Sequence, residues 1–339
     1  MTVPAPVTAA LAPHLLDALG RVSVTPDGRH AVVAGREVSA DSPRDLRGRL
    51  TTALYQEFHA GNAPRGAAPD TAPRRSTRDP ALEARYAAGV PHRWTPAEGL
   101  LLALRPDAGQ AVVRLPEITA RVPLDRLLAP DDPGPGDLVR LALEAARPAL
   151  SPGFFYVMGS RPVVRLAGPV RRLFVHLDGP EGAAGHWAAV LTALEEAGAA
   201  YHAKVLSDPE DFPRRDALVV YLHGVHEPAE RAVTEAVRPL PGRGAGVSLF
   251  TEELAPGLAA AWDPVDPRPG QRDLSFGQHR CLALATALID HATDHATDHA
   301  TDTAADGRTE RVARAFRAAG IDPLRPARNV PAPAEGDPT

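Results

Sequence analysis

Lys204, in the stretch Tyr201-His-Ala-Lys-Val-Leu-Ser207, is the one lysine of a chain whose lysines and arginines together number 37. Wherever positive charge alone was required, this sequence uses arginine. A guanidinium stays protonated at any ordinary pH, whereas a lysine amine can release its proton when burial or neighbouring cations favour the neutral form. Lys204 is therefore a candidate base, and the nearby Phe212-Pro-Arg-Arg-Asp216 supplies cations within a few residues of it. The plain alternative is that GC-rich codons emptied the chain of lysine and left one snorkelling side chain at a strand edge.

A second set of chemistry-bearing residues lies near the C-terminus. Asp290-His-Ala-Thr recurs at Asp294 and Asp298, so His291, His295 and His299 share one helix face at i, i+4 spacing. That spacing can chelate zinc or nickel, but a tandem tetrapeptide also reads as low-complexity slippage. No metal or other cofactor is expected to take part. There is no GxGxxG and no GxxxxGK[ST], so neither a dinucleotide nor a P-loop site is signalled.

Composition narrows the function classes further. The net charge is −5 and no Lys/Arg block tracks a phosphate backbone, which argues against nucleic acid as a partner. One cysteine, Cys281, excludes an internal disulfide framework. No apolar run approaches a membrane span and no targeting segment opens the chain, so a cytoplasmic protein is the expectation.

These residues need elements to position them. Leu11, Leu15, Leu16 and Leu19, then Leu46, Leu50, Leu54, Tyr55 and Phe58, predict two helices with a turn or hairpin between them around 24–38. Residues 60–78 read as a mobile loop carrying Arg74, Arg75 and Arg78. Between 100 and 122 the period changes to that of antiparallel hairpins. Residues 137–147 fit either a strand or a short helix, and 152–159 fit a buried strand. Strands then follow at 172–177, 201–206, 217–222 and 247–250, with helices at 183–197, 227–237 and 278–289. The resulting fold class is α+β, with N-terminal helices and hairpins followed by a twisted mixed sheet with packed helices. The expected division is an N-terminal segment over 1–78, a main domain over 79–290, and a low-complexity, Pro-rich tail over 291–339, unstructured from 323.

Seven stretches in order carry a family resemblance. They are Leu54-Tyr-Gln-Glu-Phe-His-Ala-Gly61, Ser151-Pro-Gly-Phe-Phe-Tyr156, Arg172-Leu-Phe-Val-His-Leu177, Tyr201-His-Ala-Lys-Val205, Pro213-Arg-Arg-Asp216 with Val220-Tyr-Leu222, Phe250-Thr-Glu-Glu-Leu-Ala-Pro-Gly257, and Ser275-Phe-Gly-Gln-His-Arg280. From about residue 50 to 290 the chain resembles the HopA-type effector family, whose bacterial relatives include lyases of class V lanthipeptide and thioamitide biosynthesis. The resemblance implies a phosphoserine/phosphothreonine lyase. A partner kinase phosphorylates Ser or Thr of a precursor peptide, and β-elimination of phosphate leaves dehydroalanine or dehydrobutyrine. No HRD or DFG kinase signature is present, so the kinase would be a separate protein, bound in a complex. The Gly-Asp-Lys-x-His type of motif of phosphothreonine lyase effectors is absent, and the general acid does not carry over from them.

Such a site needs convergent arginines for the phosphate dianion, and Arg214, Arg215 and Arg280 stand in the matched stretches. Thr251 adds a hydroxyl there, or caps the turn that follows it. Lys204 is the expected base, with His202, His176, His279 or Tyr221 near it as acid or positioning groups. Each has a structural alternative: a surface ion pair for Arg214-Arg215-Asp216, a core ring for Tyr156 or Tyr221, a structural imidazole for each histidine. The competing function is a non-catalytic module that docks a leader peptide or the kinase. The discriminating observation is whether Lys204 and at least two arginines share one cleft.

Overall fold

The computed structural model describes residues 10–62, 78–115, 118–128, 133–148, 150–161, 168–272, 274–295 and 304–330. Its centre is a six-stranded sheet made of β9 (Phe154–Met158), β10 (Arg171–Leu177), β11 (Ala200–Leu206), β12 (Arg214–His223), β13 (Glu252–Ala255) and β14 (Leu258–Trp262). The strand order is β13-β14-β10-β12-β11-β9. All its pairings are antiparallel, not mixed as the strand and helix rhythm suggested. The reason is connectivity: α4 (Pro180–Glu196) leaves β10 and returns the chain to β11, and β12 inserts between those two strands.

Helices cover both faces. On one, Trp187, Val190, Leu191 and Leu194 of α4, Val233 of α5 (Glu227–Val237) and Tyr86 of α3 (Pro80–Ala88) pack with Leu173, Val175, Ala203, Val205, Val220 and Leu222. On the other, α2 (Pro43–Leu54), α6 (Phe276–His295) and α7 (Ala304–Ala318) pack with Phe174, Val219, Tyr221 and Ala261. Alternation along each strand assigns the two sets to opposite faces. At one point it breaks: Ala217 and Leu218 both belong to the α4 side, and the pairing register slips between Val175 and Leu177. This bulge turns the strand beyond it.

The first 60 residues share a core with the C-terminal helices, since α1 (Pro13–Leu19), the meander β1 (Val22–Val24), β2 (His30–Val33) and β3 (Arg36–Ser39), and α2 cluster with α6 and α7. Within the expected tail, residues 304–330 are therefore part of the packed fold. Val312, Ala313 and Phe316 of α7 are buried, as are Ile321 and Ala327, because α2 and α6 leave an apolar surface that α7 closes. The unstructured reading from 323 holds for no residue up to 330, and His299, with 331–339, lies outside the described residues. So does most of the 60–78 loop with Arg74 and Arg75.

A third, five-stranded sheet contains β4 (Trp94–Arg105), β5 (Gln110–Arg114), β6 (Thr119–Pro123), β7 (Leu127–Leu128) and β8 (Leu138–Glu144), in the order β6-β5-β4-β8-β7. The ambiguous 137–147 stretch is thus a strand. This sheet has its own small core and joins the central one beside β9 through the Ala146 and Val157 bridge. The expected 247–250 strand is absent. Phe250 and Thr251 are in a turn, with the strand displaced to β13 and a further strand, β14, following it. Among the described residues no helix is long and apolar enough to cross a membrane.

Candidate active site

A cleft of about 640 Å³ opens on the α6 side of the central sheet. Its floor is sheet: Phe154 of β9, Arg172 and Phe174 of β10, Lys204 of β11, and Arg214, Asp216, Val219 and Tyr221 of β12. One wall is the turn Tyr55–Ala60, wound as a π-helix that continues α2 and ends on Gly61 in the left-handed region at φ 70°. Its Tyr55 and His59, four residues apart, both face the cleft. Short π segments are frequent at functional sites because the wider turn re-aims side chains. Packed against His59 through Phe276 and Gly277 is the first turn of α6, which lines the cleft with Arg272, Leu274 and Ser275, and Ser151 and Pro152 line it as well. Ser275 and Gln278 make a reciprocal cap, the Ser275 N–H donating to Gln278 Oε1 at 3.0 Å and the Gln278 N–H to Ser275 Oγ at 3.3 Å. The helix therefore presents its N-terminal N–H end to the cleft, an arrangement that favours anions.

The bulge in β12 decides which arginine enters. Arg214 faces the cleft, where it donates from Nε and Nη2 to the two oxygens of Asp216 at 2.8 Å each and from Nη2 to Tyr55 Oη at 3.1 Å. Tyr55 donates in turn to Asp216 at 2.7 Å. Among the described residues, Nη1 of Arg214 is left for a ligand. Burial alone would raise the Asp216 carboxyl, but Arg214 and then His59 hold it far below the usual carboxylate range. Burial works against the Arg214 charge as well, and Asp216 more than restores it. Arg215, one residue on, points away. It donates to Glu57 O at 3.1 Å, passes directly over Gly61 and lines a separate cavity of about 300 Å³.

Arg172 and Arg272 complete the cationic lining. Arg172 is ion-paired to Asp263 and lies 4.6 Å over the Tyr221 ring, with its buried Nε unpartnered. Arg272 is exposed, and neither it nor Lys204 has a carboxylate partner among the described residues. Lys204 is half-buried, held between Tyr156 and Val219 in the ladder, with Nζ 4.2 Å from the Phe154 ring centroid. Cation and ring attract one another through the ring quadrupole.

Lys204, Arg214 and Tyr221 thus meet in one cleft, and the other named residues stand outside its wall. Arg280 is fully buried behind Phe276, donating to Pro326 O at 3.2 Å and Asn329 Oδ1 at 3.1 Å, so it ties the C-terminal segment to α6 and faces no phosphate. Burial pushes it down to about 9. His279 beside it bonds Asp266 at 2.9 Å. His176 sits under Gly244 and donates from Nδ1 to Gly246 O at 2.9 Å, on the Arg215 side. His202 stacks between Tyr156 and Tyr221 and bonds His223 at 3.1 Å. Thr251 donates to Ser248 O at 2.8 Å, three residues back, so its hydroxyl closes the turn before it and not the one that follows. What sequence reasoning missed is Tyr55, His59, Phe154, Arg172, Asp216, Arg272 and Ser275. Two signals were available: the i, i+4 pair in the Leu54–Gly61 stretch, and an acid in the apolar run that follows Arg215.

Residues 145–328, more than half of the chain, match the pattern of the HopA1 effector protein family. The chain belongs to that family. The matched region of this HopA1-family chain holds every cleft residue except Tyr55 and His59. Two solved structures are similar in fold. One is the effector protein from Pseudomonas syringae pv. tomato strain DC3000, 14% identical, covering 82% of this chain and 90% of that one with a TM-score of 0.43. The other is the effector protein from Pseudomonas syringae pv. syringae strain 61, 16% identical, covering 85% and 93% with a TM-score of 0.45. None of the curated proteins is a match in sequence.

Two imidazoles, the buried His59 and the half-buried His202, contribute most clearly to an acid limit on this HopA1-family fold. Burial holds His59 down to about 4, with Asp216 opposing and Arg214, Arg172 and Arg215 reinforcing. Burial, then His223, Arg172 and Lys204, hold His202 down to about 3. Both are neutral when folded, while in the unfolded chain they take protons near their ordinary 6.5. Their stabilisation is complete above pH 6.5 and is lost as the pH falls towards 4, at a cost on the order of 3 kcal/mol for each. Burial also lowers His14, His186, His223 and His279, so urea unfolding across that window should show stability dropping with acid by at least two protons' worth of slope, of which His59→Gln should remove about one.

Proposed function

We propose that this chain is a phosphoserine/phosphothreonine lyase. It takes a precursor peptide phosphorylated by a separate kinase, eliminates phosphate and leaves dehydroalanine or dehydrobutyrine, as in ribosomal lanthipeptide or thioamitide biosynthesis. The observation that carries this reading is that Lys204 shares one cleft with Arg172, Arg214 and Arg272. The arginines suit a phosphate dianion, through Nη1 of Arg214, the buried Nε of Arg172 and the unpaired Arg272. The amine of Lys204, unlike a guanidinium, can take up a Cα proton, and it stands in the same cleft as the arginines. Charge that develops on the substrate carbonyl meets the N-terminal end of α6 and the Ser275 hydroxyl.

The test is a synthetic phosphoserine or phosphothreonine peptide incubated with the isolated chain, followed by mass spectrometry for loss of phosphoric acid. A peptide that binds without losing phosphate would favour the docking module over the enzyme. Arg272→Ala should raise KM about ten- to a hundredfold without changing the melting temperature. The lost contact is one charge-assisted hydrogen bond, worth about 1.5–3 kcal/mol, and the side chain is exposed.

A further inference from the structure

The lyase reading leaves one proton unaccounted for. A phosphomonoester dianion that simply departed would leave as trianionic phosphate, so the bridging oxygen must gain a proton as the Cβ–O bond breaks. The described residues of the cleft offer few donors, and the Tyr221 hydroxyl, on a ring held between Arg172 and His202, is the competing one that the test below decides. The Tyr55 hydroxyl is committed to Asp216, and burial pushes it up well beyond the usual phenol range. His59 is neutral, with Nδ1 on Ser248 Oγ at 2.8 Å. Guanidinium groups keep their protons.

The placement of Lys204 supplies the answer. Its Nζ lies 4.2 Å from the Phe154 ring centroid and Cζ of Arg214 lies 5.8 Å from the same centroid. Amine and guanidinium therefore rest at one aromatic ring. In the proposed pose, a phosphate held by Nη1 of Arg214 has its bridging oxygen within reach of the amine at the same ring.

We propose that Lys204 is both base and acid, in a syn elimination. The neutral amine takes the Cα proton. The electron pair of the Cα–H bond becomes the second Cα–Cβ bond as Cβ–O breaks with its own pair. The new ammonium passes a proton to the bridging oxygen, hydrogen phosphate leaves, and the amine is again neutral. This step rests on the lyase reading, and product geometry tests it separately.

Syn elimination from L-phosphothreonine places the γ-methyl beside the carbonyl and gives E-dehydrobutyrine, whereas anti elimination gives the Z isomer. The L-allo epimer reverses both outcomes. The experiment uses the full chain with synthetic peptides of each epimer and assigns the products by NMR. In the E isomer the amide proton shows an Overhauser contact to the vinyl proton, and in the Z isomer to the γ-methyl. The expected result is E from L-phosphothreonine and Z from the allo epimer. The rate above about pH 7, where the phosphate is a dianion, should rise to a plateau with no descending limb. The Z isomer from L-phosphothreonine overturns the proposal. A bell-shaped profile does so too, because it would show a second titrating group such as Tyr221 acting as acid. If neither epimer loses phosphate, the lyase reading itself fails, and the single-lysine step falls with it.

Discussion

Lys204→Arg should eliminate phosphate at least about 10²-fold more slowly than the parent chain, while its thermal melt stays within a degree or two of the parent's. The substituted side chain keeps the positive charge, the reach over Phe154 and the half-buried position between Tyr156 and Val219. What it loses is the capacity to give up and retake a proton, since a guanidinium remains charged throughout. A purely structural lysine would tolerate this change in a chain that otherwise uses arginine for every cation. The measurement is the rate of loss of phosphoric acid from a phosphopeptide, and a rate equal to the parent's in a folded variant would remove Lys204 from the chemistry. The natural control is Arg215→Lys, which lies over Gly61 in the separate cavity and should leave the rate unchanged.

The largest loss of stability is expected from Asp216→Asn. Asp216 is almost fully buried and takes both arms of Arg214, the Tyr55 hydroxyl and, at 3.7 Å, the His59 ring. Asparagine keeps the shape but leaves the Arg214 charge uncompensated in a desolvated place, a change that costs about 3–5 kcal/mol in buried pairs. Chemical denaturation should show the midpoint falling with an unchanged m-value. Because Arg214 would then be held by Tyr55 alone, KM for the phosphopeptide should rise in whatever fraction folds. The double replacement of Arg214 and Asp216 by apolar residues of similar size should recover much of the stability and none of the affinity, which separates the fold's need for the pair from the ligand's need for the arginine.

The difference between Arg214 and Arg215 shows where reading the chain stops. Both are arginines in one short stretch, and strand alternation says that they face opposite ways without saying which way each faces. The slip in register between Val175 and Leu177 puts Arg214 on the cleft side, and Gly61, lacking a side chain, leaves room for Arg215 on the other. Arg280 shows a second limit. Its place near the start of α6 is visible from the spacing, but it turns inward, where Pro326 and Asn329 offer their oxygens. Those partners come from a segment nearly fifty positions away, in a region whose composition reads as a tail.

Local patterns alone were enough for most of the elements, because apolar period and turn residues act over a few positions: the α4, α5 and α6 helices, the strands β9 to β12, and the antiparallel hairpins near residue 100 all follow from them. They were also enough to single out Lys204, since its distinction is compositional. The tertiary structure decided what stands around that lysine. Arg172, Arg272, Tyr55 and His59 lie between 32 and 149 residues from it in sequence and reach the cleft only because α2 and α6 pack on the same face of the sheet. Convergence of charge is a property of packing, in which apolar burial fixes the backbones and the polar side chains take the positions that remain.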